Sequence, residues 1–183
     1  MKKIVVTFGV IGGVLISAMM LITIPFEDKI GFDHGLIVGY TTMVASFLLV
    51  YFGIRSYRNN LGGGRITFGR AFAVGILITL VTCVFYVATW QVMYFYLMPD
   101  FMTKYSAHAV EKLKSSGASE AAIQAKLAEM QKTKAIEDNP LTNAAMTFLE
   151  PFPVGLLITL ISAGVLRKKV ASGSAQGVVA EAR

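Results

Sequence analysis

Glu150 is the residue whose surroundings most suggest chemistry. It lies in a largely apolar stretch and is followed closely by Pro151 and Pro153. Because proline has no amide hydrogen, the carbonyls of Thr147 and Leu149 lose their helical partners. Within a membrane, a carboxylate beside freed carbonyls could hold a proton or a cation, or bend the helix. The alternative is a helix that begins at Pro151 and leaves Glu150 among lipid headgroups.

A second candidate site combines Gln91 with three aromatic residues. Tyr86, Trp90 and Tyr94 recur every four residues and therefore share one face of a helix. They could line a pocket with Gln91 at its edge, or anchor the helix at the membrane interface. The sequence contains no nucleophile–base motif and no spacing typical of metal ligands. We therefore expect no catalytic residues, no metal and no cofactor, and a protein that is not an enzyme.

The composition predicts a membrane protein. The chain is 55% hydrophobic and only 15% charged, whereas soluble domains are about 25% charged. Long apolar runs alternate with short charged segments, a pattern typical of chains that cross the lipid bilayer. The net charge is +6, but the basic residues flank the apolar runs and do not form one polar face. This placement argues against nucleic-acid binding.

The apolar runs predict an all-α bundle of four transmembrane helices. The expected spans are residues 4–24, 35–54, 71–97 and 144–166. The first run is longer than the core of a secretory signal, and no A-x-A cleavage motif follows it. Ile123, Leu127 and Met130 give the polar segment 101–138 one apolar face, which predicts a helical hairpin between the third and fourth spans.

Basic residues next to the spans predict the orientation. One side would hold Arg55, Arg58, Arg65, Arg70, Arg167, Lys168 and Lys169. Cytoplasmic loops carry an excess of lysine and arginine, so both termini are expected in the cytoplasm and the hairpin outside it. The membrane domain would then cover residues 1–169, followed by a disordered cytoplasmic tail over 170–183.

Small residues at four-residue spacing mark each predicted span. The glycines among them are Gly9, Gly13, Gly35, Gly39, Gly75 and Gly155. Helices in lipid associate by close packing at small residues, so these positions predict helix contacts. The contacts could lie within one chain, or one stripe could form a homo-oligomer.

The segment Ile66–Phe72, followed by Tyr86, Trp90, Tyr94 and Pro99, resembles a family of bacterial inner-membrane proteins known as domain of unknown function 4199. The similarity continues through Glu111, Met130, Asn139-Pro140 and Thr147-Phe148 to the basic tail, and covers about residues 4–169. The resemblance implies a four-span protein of the bacterial inner membrane. It supplies no activity, ligand or catalytic residue.

Two functions fit these features. The visible motifs concern packing, which favours a non-enzymatic structural or partner-binding bundle that contacts an envelope protein through residues 101–138. The alternative is a small ion- or proton-coupled transporter that uses Glu150.

Overall fold

The computed structural model describes residues 1–168, apart from the side chains of residues 25, 27–30 and 32–33. Its seven α-helices are α1 (Lys2–Thr23), α2 (Glu27–Asn60), α3 (Phe68–Val92), α4 (Phe101–Ser115), α5 (Glu120–Glu137), α6 (Pro140–Leu149) and α7 (Pro151–Leu166). A 3-10 turn over Ile24–Phe26 joins α1 to α2, and a π-helical turn over Met93–Leu97 extends α3. The predicted tail over 170–183 lies outside the described residues.

Four helical segments are long and apolar enough to cross a membrane. They are Lys2–Thr23, His34–Asn60, Phe68–Leu97 and Pro140–Leu166. Large apolar side chains point away from the bundle on these segments, with Val84 64% and Val165 68% exposed. Such a surface is stable against hydrocarbon and costly against water. The predicted all-α, four-span architecture is thus confirmed, and the chain is a multi-pass membrane protein.

The second and fourth spans extend furthest beyond the bounds that hydropathy alone predicted. The second continues past residue 54 to Asn60, because the polar residues that end the apolar run remain compatible with a helix. The fourth begins at Pro140 and not near residue 144. Asn139 explains this start, since its side chain accepts hydrogen bonds from the amides of Leu141 and Thr142 and caps α6.

Helices α2 and α3 touch each other, and α1 and α7 each pack against both of them. Side chains at the centre are fully buried, among them Phe47, Val50, Ile54, Val74 and Ile78. Polar contacts also join the helices: the Thr79 and Thr159 hydroxyls lie 3.0 Å apart, and the Thr89 hydroxyl donates to the Ser17 hydroxyl at 2.7 Å. Within lipid such bonds add to the close packing of the helices.

Four of the six glycines predicted to pack helices lie at close approaches. A Cβ added at Gly9 would meet Val81 at 2.7 Å, and one added at Gly13 would overlap Phe85. These contacts bring α1 against α3. Gly75 lies against Thr159 in the same way, so α3 also approaches α7 closely.

Gly155 closes the interface between α7 and its neighbours. A Cβ added there would collide with Thr79 and come within 2.8 Å of Phe47. Two glycines outside the predicted set make equally close approaches: Gly12 lies against Thr82, and Gly53 lies against Ile78.

Gly35 and Gly39 differ from the other four. A Cβ at either position would meet no atom within 4 Å. Packing of these two glycines within one chain is therefore not observed, because they line the cavity and face open space. Their predicted role in a homo-oligomer stays a prediction.

One end of the bundle carries the predicted topology residues. Arg55 and Arg58 end α2, Arg65 lies in the loop before α3, Arg70 lies in its first turn, and Arg167 and Lys168 follow α7. The Lys168 amide donates to the Ile66 carbonyl at 3.0 Å, which ties the chain after α7 to that loop. Lys169 lies outside the described residues.

Helices α4 and α5 form a hairpin at the opposite end, which we call the hairpin end. Gly117, with φ of 75°, makes the turn between them, and the Ser119 hydroxyl accepts the Ala122 amide and caps α5. Ile123 and Met130 are buried, as the apolar spacing predicted for this segment.

Candidate functional site

A cavity of about 500 Å³ lies at the hairpin end of the bundle. It is lined by α1, α2, α3 and α6, by the joint after α6, and by α4 and α5. The lining includes Gly31, Gly35, Gly39, Tyr40, Tyr86, Trp90, Met93, Phe101, Tyr105, Glu137, Thr147 and Glu150. Every span and both hairpin helices therefore contribute to one site.

Three helices depart from regular α-helical geometry beside this cavity. Helix α2 breaks at Gly31, where φ is 67° and ψ is 161°. Helix α3 passes into the π-helical turn that begins at Met93. The fourth span is interrupted at Glu150, between α6 and α7. In a membrane, irregular backbone is tolerated where it lines a cavity, and these three breaks all do so.

Glu150 connects α6 to α7, since it is the residue after the last one of α6 and before the first one of α7. Its backbone stays in the right-handed helical region, with φ of −78° and ψ of −59°. Its amide donates to the Thr147 carbonyl at 3.4 Å, and Pro151 starts α7 directly after it. The span therefore continues in direction while the missing proline amides interrupt its hydrogen bonds. Helix α7 thus begins at Pro151, as the second alternative expected, and the position of Glu150 relative to the headgroups stays a prediction.

Tyr86 holds the Glu150 carboxylate in the cavity. The phenol of Tyr86 donates a hydrogen bond of 2.7 Å to Oε2 of Glu150. Glu150 lies ten residues from the start of its span at Pro140 and sixteen from its end at Leu166, about 15 Å along the helix from the start. The Tyr86 phenol is a neutral donor, so this hydrogen bond leaves the charge of the Glu150 side chain unchanged, and Glu150 remains exposed beside the cavity.

Gln91 is positioned by a hydrogen-bonded group around Asn143, which is fully buried. The Gln91 amide donates to Oδ1 of Asn143 at 2.8 Å and to the Pro140 carbonyl at 3.2 Å. Asn143 in turn donates to Oε2 of Glu137 at 3.0 Å and to the Glu137 carbonyl at 3.2 Å. Thr147 donates to Oδ1 of Asn143 at 3.3 Å. This group joins α3, the end of α5 and α6 into one unit.

The predicted set of Glu150, Gln91 and Tyr94 is only partly brought together. Tyr86 and Trp90 line the cavity with Glu150, while Gln91 and Tyr94 support its walls. The Tyr94 phenol donates to Oδ1 of Asp138 at 3.2 Å, so it joins the π-helical turn to the end of α5.

Sequence reasoning missed Glu137, Asn143 and Thr147. A detectable signal existed for two of them: Asn143, Thr147 and Glu150 recur at i, i+4 and i+7 after the Asn139-Pro140 start. That spacing places polar side chains on one face of an apolar span. Glu137 carries no such signal, because only the fold brings the end of α5 against α6.

The cavity has an acidic character. Burial raises the pKa of Glu137 above its ordinary value, and the negative charges of Asp138 and Glu150 raise it further. No lysine, arginine or histidine occurs among the described residues that line the cavity. Within the same part of the chain, no cluster of three histidine, cysteine or acidic residues could hold a metal ion. Two carboxylates thus face one apolar space.

The fold and the site define a four-span helical membrane protein with an acidic cavity at one end. The chain belongs to the family described as "Protein of unknown function (DUF4199)", whose model matches residues 7–168. The match covers all four spans and the hairpin, so the family resemblance inferred from the sequence is confirmed. Searches of curated proteins and of solved structures found no match.

Proposed function

We propose that this protein is a small, non-enzymatic, proton-coupled carrier of the bacterial inner membrane, with Glu150 as its proton site. The observation that carries the proposal is the convergence of three helix breaks on one cavity that contains Glu150. Discontinuous helices at a polar site inside the bundle are characteristic of secondary transporters. An acidic side chain within a span is costly and is usually retained for function.

The geometry suggests how proton and ligand would compete. Protonation of Glu150 removes its charge while Tyr86 can remain hydrogen-bonded to it. A cationic ligand in the cavity favours the ionised form of Glu150. Protonation of Glu150 removes the attraction and favours release of the ligand. The interrupted hydrogen bonds before Pro151 allow α6 and α7 to bend against each other as the charge changes.

The carrier would lie with both termini in the cytoplasm. This orientation is supported by the arginines that end α2, begin α3 and follow α7 at one end of the bundle. The cavity would then lie toward the extracytoplasmic side of the membrane, next to α4 and α5.

The test is proton flux in proteoliposomes that contain the full chain and an internal pH-sensitive dye. The parent protein should dissipate an imposed pH gradient faster than empty liposomes, and Glu150→Gln should reduce the rate to that of empty liposomes. Glu129→Gln is the matched control, because Glu129 is 61% exposed on α5 and pairs with Lys126. Unchanged flux in Glu150→Gln, or no flux in the parent, would remove the proposal.

A second candidate function is binding of an envelope protein through residues 101–138. It is favoured by the position of the hairpin, which packs on the bundle mainly where α5 meets α6 and leaves much of α5 exposed. This function requires that the hairpin face the extracytoplasmic side, where a cysteine in its turn would react with a membrane-impermeant maleimide.

A further inference from the structure

We propose that the cavity binds an amphiphilic organic cation, meaning a molecule with an apolar, partly aromatic body and one weakly hydrated positive charge. This inference rests on the proposed function, since it names the class of molecule that the carrier would accept. The binding experiment below is nevertheless independent of transport.

The charge of the cavity lining favours a cationic ligand. Glu137 and Glu150 both line the cavity, and the described lining contains no basic side chain to neutralise them. Their hydrogen bonds come from neutral donors, the Tyr86 phenol and the Asn143 amide. A ligand that brings one positive charge would favour the ionised form of both carboxylates. Burial, and after it the charges of Asp138 and Glu150, raise the pKa of Glu137 in the cavity.

The lining argues for an organic cation and against a metal ion. Calcium and magnesium need about six oxygen ligands, and the described lining offers two carboxylates among mostly apolar side chains. Aromatic faces attract cations that shed water easily. Those that line this cavity belong to Tyr40, Tyr86, Trp90, Phe101 and Tyr105.

The volume and the adaptable walls fit a molecule of that kind. About 500 Å³ is within the usual range for a site that encloses one small organic ligand. Methionines repack around ligands of varied shape, and six of them line the cavity: Met19, Met20, Met93, Met98, Met102 and Met146.

The glycines of α2 also favour an occupied space. Gly35 and Gly39 line the cavity, and a Cβ at either would meet nothing within 4 Å. They present bare backbone on that side, so they widen the cavity where helix packing would have narrowed it. The rival occupant is a neutral lipid chain, which would use the apolar walls but would not require the carboxylates.

The experiment measures binding of tetraphenylphosphonium to the purified full chain in a non-ionic detergent. Trp90 is the only tryptophan and lines the cavity, so its fluorescence reports occupancy directly. We expect saturable quenching by the cation and little by the neutral triphenylphosphine oxide. The double variant Glu137→Gln, Glu150→Gln should bind the cation at least about tenfold more weakly, and Glu129→Gln should match the parent.

Folding of each variant is checked with Cys83, the only cysteine, which is fully buried and should stay unreactive to a maleimide dye. Equal binding of the neutral compound would overturn the inference and indicate a lipid site. Undiminished binding in a folded double variant would overturn it too, as would the absence of saturable quenching. Binding without proton flux would support the inference and count against the carrier, whereas flux without binding would do the reverse.

Discussion

At the scale of single residues, the two acids that line the largely apolar cavity, Glu137 and Glu150, are the main candidates for function. Glu150 was apparent from the sequence because it interrupts an apolar span next to two prolines. Glu137 became apparent only in the fold, where Asn143 orients its carboxylate toward the same cavity. Burial is the largest cause of the raised pKa of Glu137, and the negative charges of Asp138 and Glu150 add to it.

Replacing Glu137 by glutamine should stabilise the protein more at neutral than at acidic pH. The folded state raises the pKa of Glu137, so it holds a proton more tightly than the unfolded state. Stability therefore falls as pH rises above the ordinary glutamate pKa of about 4.3. Glutamine keeps an oxygen that can accept the Asn143 hydrogen bond but cannot ionise.

The check compares melting temperatures of Glu137→Gln and the parent at about pH 4 and about pH 8. Unfolding is followed by the fluorescence of Trp90, the only tryptophan, because this signal does not depend on the ionisation of a thiol. We expect the gain over the parent to be larger at the higher pH. A gain that is the same at both values, or larger at the lower one, would contradict the assigned environment of Glu137.

At the scale of elements, glycine serves two purposes that the sequence pattern does not distinguish. In α1, α3 and α7, glycines let a neighbouring side chain reach the helix backbone, as Thr159 does at Gly75. In α2, Gly35 and Gly39 have no such neighbour and leave space in the cavity. The spacing of four residues is the same in both cases.

Alanine at Gly155 and alanine at Gly39 should therefore have different effects. The methyl group in Gly155→Ala would collide with Thr79 and Phe47, and overpacking of this kind costs about 1–3 kcal/mol. Gly39→Ala should instead stabilise the protein by up to about 1 kcal/mol, because nothing lies within 4 Å of the new atom and alanine favours a helix more than glycine does. Denaturation of both variants in the same detergent makes the comparison. Equal losses would show that the two glycines are equivalent after all.

At the scale of the whole molecule, the two ends of the bundle are chemically distinct. One end collects the arginines that flank the spans, and the other carries the cavity and the hairpin of α4 and α5. From the positive-inside rule we expect the cavity on the extracytoplasmic side. A carrier with this orientation would receive its ligand from outside the cytoplasm.

Single cysteines at the two ends test this orientation. In a Cys83→Ala background, Ser116→Cys in the hairpin turn should react with a membrane-impermeant maleimide in intact spheroplasts. Asn60→Cys, at the exposed end of α2, should react only after lysis. The reverse pattern would invert the topology, and with it both the carrier direction and the proposed contact with an envelope protein.

The sequence by itself determined the architecture, because the bilayer imposes strong and local requirements on a chain. Each span must be long and apolar, and this is visible in composition along about twenty residues without knowledge of any contact. The cap at Asn139 is equally local, because its side chain bonds to the amides of Leu141 and Thr142. The spans and the family resemblance could therefore be inferred before any coordinates.

Only the tertiary structure decided which residues share the site. Glu137 and Glu150 are separated by a turn and a helix, and they meet at one cavity because α6 folds back along α3 and Asn143 joins it to α5. Whether a glycine packs or leaves space depends likewise on the side chain opposite it, as Phe47 shows at Gly155. Contacts of this kind form between segments that are distant in sequence, and they leave no periodic pattern from which they could be predicted.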